Sequence, residues 1–101
     1  MVRIVSRNTL KAYAAKHPSA RVGLEFWFEA TRAALWSTSS EVLETFRRAK
    51  VLNAERVRFE IQGGDFRLIA AINYRRQIAY VKFVGTHAEY DRIDALTVSM
   101  F

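Results

Sequence analysis

The chain has 101 residues, half of them apolar and 13% aromatic, with no cysteine. That length predicts a single domain, residues 1–101, with ample core material; the composition excludes intrinsic disorder, disulfides and cysteine-based zinc sites. The formal charge of +6 and pI near 10.2 suit a polyanionic partner, because displaced counterions favour binding to phosphate backbones, although a basic surface can also serve only solubility.

The opening MVRIVSRNTL has no apolar h-region, and no apolar run approaches the ~18 residues of a membrane span. A cytoplasmic location is expected. Val2 to Val5 reads as a short first strand, and Ser6 or Asn8 can cap the helix that follows. Leu10, Tyr13, Ala14 and His17 fall on one helical face. Pro18, the only proline, ends that helix and suits the first turn of the next.

The second helix is predicted from about Ser19 to Leu35, with Leu24, Trp27, Phe28 and Leu35 as its apolar stripe. Thr38 and Glu41 form a capping-box pattern for a third helix, whose inner face is Val42, Leu43, Phe46 and Ala49. Trp36 is expected to plug the junction. Arg47, Arg48 and Lys50 would lie at the end of the third helix, where they either complement its dipole or touch phosphate.

From Arg56 the pattern alternates: Val57, Phe59 and Ile61 against Arg56, Arg58 and Glu60. Gly63-Gly64 is a two-residue hairpin loop, since both can take positive φ. It sets Ile61 opposite Phe66, Glu60 opposite Arg67, Phe59 opposite Leu68 and Arg58 opposite Ile69. Arg75-Arg76 supplies a second loop, placing Ala71 opposite Tyr80 and Ile69 opposite Lys82. The result is an α+β fold whose small sheet, mainly antiparallel, combines the short N-terminal strand with a three-stranded meander. Two to three N-terminal helices cover one face, over Val57, Phe59, Ile61, Phe66, Leu68, Ala70, Ile72, Val81 and Phe83. The other face, open, carries Arg56, Arg58, Glu60, Arg67, Ile69, Asn73, Tyr80 and Lys82. The tail ALTVSMF is either a last strand or a helix end.

Arg58, Arg67 and Lys82 converge on that open face with only Glu60 to offset them. Such a cluster repels itself unless an anion visits it. Arg binds two phosphoryl oxygens through its planar fork. Just downstream, His87 can act as general acid or base, Glu89 as base, and Tyr90 can stack on a nucleobase. Each has a plainer reading: His87 as a turn cap, Glu89 and Asp91 as helix-start carboxylates, Tyr90 as a core aromatic. With one other His and no Cys, a metal site and a cofactor are not expected. Gly63-Gly64 lacks nucleotide-loop spacing, and no Ser-His-Asp hydrolase signature is present.

Several stretches together resemble the HigB branch of the RelE-like toxins: S-R-N-T-L, K-H-P-S-A, Trp27 of the long helix, Trp36 before the third helix, V-R-F-E-I-Q-G-G-D-F-R-L-I, A-I-N-Y and V-K-F-V-G-T-H-A-E-Y-D-R-I-D. The likeness spans almost the whole chain; Gly64 departs from it, where relatives often have Asn. It implies the RelE-like fold and a metal-independent endoribonuclease acting on mRNA in the ribosomal A site. It implies a helix-turn-helix antitoxin of the HigA kind, with operator DNA reached only through that antitoxin. The carried-over residues are Arg67 for the phosphate and His87 with Tyr90 as the catalytic pair, Lys82 nearby. The full expectation is therefore a catalytic set of Arg67, His87, Glu89 and Tyr90, with Arg56, Arg58, Lys82 and Tyr80 binding RNA. The rival readings are a non-catalytic RNA- or ribosome-binding module using the same face, and a degenerate toxin that only binds its antitoxin.

Overall fold

In the computed structural model, which describes residues 1–101, Ser6 stops one element and starts another. Strand β1 (Arg3–Val5) ends there. The Ser6 hydroxyl accepts the Thr9 N–H, capping α1 (Arg7–Lys16). A 3-10 turn (Pro18–Ala20) with Pro at its first position leads into α2 (Arg21–Ala33). The predicted end at Leu35 is two residues late: Ala34 is already extended, and Leu35 stands in solvent, 68% exposed, rather than in the apolar stripe. The capping box of Thr38 and Glu41 forms at the start of α3 (Ser39–Thr45). This helix stops at Phe46, so Arg47 and Arg48 lie in a turn just past its C-terminus.

Strands β2 (Lys50–Val51), β3 (Arg56–Ile61), β4 (Phe66–Asn73) and β5 (Ile78–Thr86) complete a five-stranded sheet of order β1-β5-β4-β3-β2, and a one-turn helix α4 (His87–Tyr90) follows. β1 pairs with β5 in parallel, so the sheet is mixed rather than wholly antiparallel. The three helices carry the chain from β1 across to β2 at the opposite edge, and β3, β4 and β5 bring it back beside β1. The two-residue β2 carries no alternation to read; it exists because β3 offers Val57 and Arg58 as partners.

The β3–β4 register is the predicted one, with Glu60 opposite Arg67 and Ile61 opposite Phe66. The turn is wider than two residues: Gln62 takes positive φ along with Gly63 and Gly64. The Gln62 side chain accepts the Gly23 N–H at 2.9 Å, tying the hairpin to α2. The second loop needs no glycine because Gln77, at φ 56°, bonds the backbone of both Trp36 and Tyr74. Asn73 also accepts the Arg76 N–H there.

Ala71 lies opposite Tyr80 as expected, but a bulge between Ile69 and Ala70 puts Ile69 opposite Phe83, not Lys82. One extra residue on β5 reverses every side chain beyond it. Val84 therefore points to the helices and Phe83 away from them. The core beneath α1, α2 and α3 contains Leu24, Trp27, Trp36, Val42, Val57, Phe59, Leu68 and Val84, but not Phe83. Trp36 does plug the junction, 1% exposed, with Nε1 donating to Thr45.

The second face is not open along its length. Ile69, Ala71 and Phe83 point away from the helices, yet they are 0%, 8% and 3% exposed. The C-terminal segment lies over them. Arg56 Nη1 donates to Ala95 O and Val98 O at 3.1 and 2.7 Å, and the Met100 N–H donates to Lys82 O at 2.9 Å. The tail is a strap of turns, neither strand nor helix. No helix is long and apolar enough to cross a membrane.

Candidate functional site

Beyond the strap, the hairpin end of the face holds a partly buried charged cluster, its side chains 17% exposed at Arg58, 15% at Glu60 and 11% at Arg67. Glu60 is central there: its carboxylate lies 3.0 Å from Arg67, 3.3 Å from Arg58 and 2.8 Å from Arg48. The first two pairs follow from register and alternation. Glu60 and Arg67 are directly opposed, and Arg58 is the next residue on that face of β3. Arg48 arrives from the turn after α3, where its carbonyl accepts from Arg58 Nη2. Three guanidinium groups thus share one carboxylate. Arg58 Nε, Arg67 Nε and Arg67 Nη1 are buried without a well-aligned acceptor. The Arg67–Glu60 contact is thus an ion pair that leaves donors free. The cluster carries excess positive charge, three guanidiniums to one carboxylate, which suits an anion with several oxygens.

Lys82 does not join it. On the bulged stretch of β5 its ammonium sits 5.8 Å from the ring centroid of Tyr80, making a separate pair toward the other end of the sheet. Arg56 also stands apart, 8% exposed with Nη1 occupied by tail carbonyls. Of the four residues expected to bind RNA, only Arg58 adjoins Arg67.

Thr86 and Glu89 form a second capping box, which folds α4 directly off β5. Glu89 Oε1 accepts the Thr86 N–H at 2.8 Å, so this carboxylate holds the helix start, the plainer of its two readings. The His87 N–H donates to Asp65 O, fixing α4 against the β3–β4 turn. The His87 imidazole is exposed, and its Nδ1 lies 3.1 Å from Asp91 Oδ2. The Tyr90 ring packs beside Phe83 and lies 6.0 Å from the Arg67 guanidinium carbon. Tyr90 and Arg67 are therefore neighbours, while no hydrogen bond links His87 to Arg67.

Three contributors escaped the sequence reading. Asp91 as the His87 partner was legible in principle from its i,i+4 spacing. Arg48 was read as a dipole complement or a phosphate contact, but its pairing with Glu60 was not legible, because it depends on where α3 ends. Gly85, opposite Arg67, was not singled out either. A Cβ there would stand 2.6 Å from Phe83 Cζ and 3.0 Å from Glu89 Oε1, so only glycine lets the Phe83 ring and α4 close over β5.

On the far side of α4, Tyr13 stacks on His17 at 4.2 Å and meets Phe66 edge-on. Its hydroxyl is buried without a partner. Burial, reinforced by the Glu89 carboxylate, pushes the phenol up to about 12. A groove of about 430 Å³ between α1 and α2 contains none of the expected site residues, and its rim mixes Arg7 and Arg21 with Glu25 and Glu29.

Compared with known proteins, the chain is 27% identical over 95 residues to the mRNA interferase HigB of Escherichia coli O6:H1 (strain CFT073), an alignment covering 91% of each chain. Residues 20–93, from the start of α2 through α4, match the model of one family, described as the RelE-like toxic component of a toxin–antitoxin system. That span contains the Arg58–Glu60–Arg67 cluster, His87 and Tyr90, and the chain belongs to the HigB toxin family.

Proposed function

We propose that the chain is a metal-independent endoribonuclease that cleaves mRNA, in the ribosomal A site, as the toxin of a toxin–antitoxin pair. The observation that carries this reading is the group of three guanidiniums around the single Glu60 carboxylate, with the Tyr90 ring beside Arg67. The family membership and the interferase relative support it.

In the proposed reaction the 2′-OH attacks the adjacent phosphorus, the P–O5′ bond breaks, and a 2′,3′-cyclic phosphate forms. One proton leaves the 2′-OH and another reaches the 5′-oxygen. Arg67 and Arg58 stabilise the charge on the phosphoryl oxygens. His87 moves one of the two protons as acid or base, and Asp91 fixes the orientation of its ring. Tyr90 stacks on or orients a nucleotide. Glu89 serves this site by building α4; its carboxylate is a second candidate base. Lys82 and Tyr80 contact RNA further along the face, and Arg56 holds the strap. The partner is a helix-turn-helix antitoxin of the HigA kind, through which the toxin reaches operator DNA, and the pair works in the cytoplasm.

The test is a primer-extension map of mRNA ends after brief induction, comparing wild type with His87→Ala, with ribosomes present and absent. Cuts inside codons that need ribosomes and vanish in the variant support the full proposal. Cuts on naked RNA keep the nuclease and remove the ribosome. Binding without cuts in any condition would leave a non-catalytic RNA-binding module.

A further inference from the structure

Next to the arginine cluster, at the β3 edge, a groove of about 270 Å³ opens between α2, the segment after α3 and the β3–β4 hairpin. Its walls include Phe26, Phe46, Arg47, Arg48, Glu60 and Gly63. Phe26 is 68% exposed, a large apolar ring left in solvent on the polar side of α2. It meets Phe46 edge-on at 6.4 Å, and Phe46 is itself packed on Trp36 and Phe59. The exposed ring is thereby backed by a chain of aromatics running into the core. Gly23, one turn earlier on α2, is pressed against the hairpin: a Cβ there would lie 2.7 Å from Gln62 N. The spacing between Phe26 and the hairpin is therefore fixed, and the groove exists before any ligand arrives.

Arg47 and Arg48 are exposed on the wall, and Arg48 is 2.8 Å from the same Glu60 carboxylate that faces Arg58 and Arg67. Groove and cluster are one continuous cationic surface around a single acidic side chain. An exposed, rigidly backed aromatic beside exposed guanidiniums is the arrangement that holds a single-stranded nucleotide, its base on the ring and its phosphate on the arginines.

We infer that this groove is a second RNA subsite, which takes the nucleotide flanking the one at the Arg58–Arg67 cluster, with its base on Phe26 and its phosphate at Arg47 and Arg48. The inference rests on the proposed RNA-cleaving role of that cluster. It makes Glu60 the hinge between the two subsites: an incoming phosphate releases Arg48 from it while Arg58 and Arg67 stay gathered.

The test measures fluorescence anisotropy with uncleavable 2′-O-methyl RNA, a trinucleotide against a hexanucleotide, for wild type, Phe26→Ala, Phe26→Tyr, Arg47→Ala and Arg67→Ala. The affinity gained between the two lengths should shrink about tenfold in Phe26→Ala and be restored in Phe26→Tyr. Arg47→Ala should lower the salt slope by about one. Phe26 is solvent-exposed, so thermal unfolding of its variants should match wild type. An unchanged length gain in Phe26→Ala overturns the inference, and loss of antitoxin binding in that variant alone would assign the groove to a protein. Failure of the parent reading looks different: Arg67→Ala would bind both lengths and cleave mRNA as wild type does.

Discussion

Glu60 on β3 and Arg67 on β4 face each other across the strand pair, with Oε2 and Nη1 3.0 Å apart. Glu60 also faces Arg58 and Arg48, so it stays compensated when Arg67 is removed. Arg67→Ala should therefore fold, while its cleavage rate falls about 10²–10³-fold, the usual loss on removing one donor to a developing charge. Arg67→Lys keeps the charge without the fork and should recover only part of the rate. Single-turnover cleavage, with circular dichroism to verify folding, decides it; a rate near wild type for Arg67→Ala would move the phosphate elsewhere.

His87 and Asp91 separate chemistry from positioning. His87→Ala should lose about 10²–10⁴-fold if the imidazole transfers a proton. Asp91→Asn removes only the charge that orients the ring at 3.1 Å, and should cost about tenfold, within the range typical of such supporting partners. The same pair read by the pH profile of cleavage distinguishes the roles: the limb belonging to His87 should vanish in His87→Ala and persist in Asp91→Asn. If both variants lost rate equally with unchanged profiles, the pair would be structural.

Much of this fold was legible because alternation and turn chemistry agree. Val57 through Ile61 against Phe66 through Ile72, with two glycines between, permits one register, and the ladder has it. The bulge on β5 left no such mark: Tyr80-Val81-Lys82-Phe83 alternates plausibly in either register, and only burial of Ile69 and Phe83 under the tail selects the shifted one. The strap was illegible for a related reason. Its hold on the sheet is Arg56 bonding to backbone carbonyls, which carry no sequence signature. Hence Arg56 and Lys82 read as part of one cationic patch although tail and bulge take them out of it. Arg58, Arg67 and Tyr90 come together because a tight register and a capping box place them.

Gly85 is where the strand must lack a side chain. With Phe83 Cζ 2.6 Å and Glu89 Oε1 3.0 Å from the position a Cβ would take, Gly85→Ala must displace a ring that is itself 3% exposed. Overpacking of that kind costs about 1–3 kcal/mol. In a domain this size each kcal/mol lowers Tm by about 4–8 °C. Calorimetry should show that fall, and cleavage should drop too because Phe83 supports Tyr90. An unchanged Tm would mean that α4 is loosely held.

Tyr13 gives the protein an alkaline weakness. Its phenol is raised from 10.0 to about 12, by burial first and by Glu89 second. A folded-state value above the unfolded one means that the native chain holds its proton more tightly. The stabilisation is complete below pH 10 and is lost as pH rises toward 12, where the unfolded chain ionises and the native one resists. Tyr74, raised by burial in the same direction, adds to the decline. Tyr13→Phe removes one titrating group together with a buried hydroxyl that has no partner. Urea denaturation across this range should show a shallower loss of stability for Tyr13→Phe than for wild type. At neutral pH the variant should be as stable as wild type or up to about 1 kcal/mol more so. Glu89→Gln, which keeps a side-chain oxygen for the Thr86 N–H, should leave the onset of the decline in place and make the loss smaller than in wild type, since it lowers the native phenol toward its unfolded value. Identical alkaline curves for all three proteins would place the Tyr13 hydroxyl in water and detach α1 from α4.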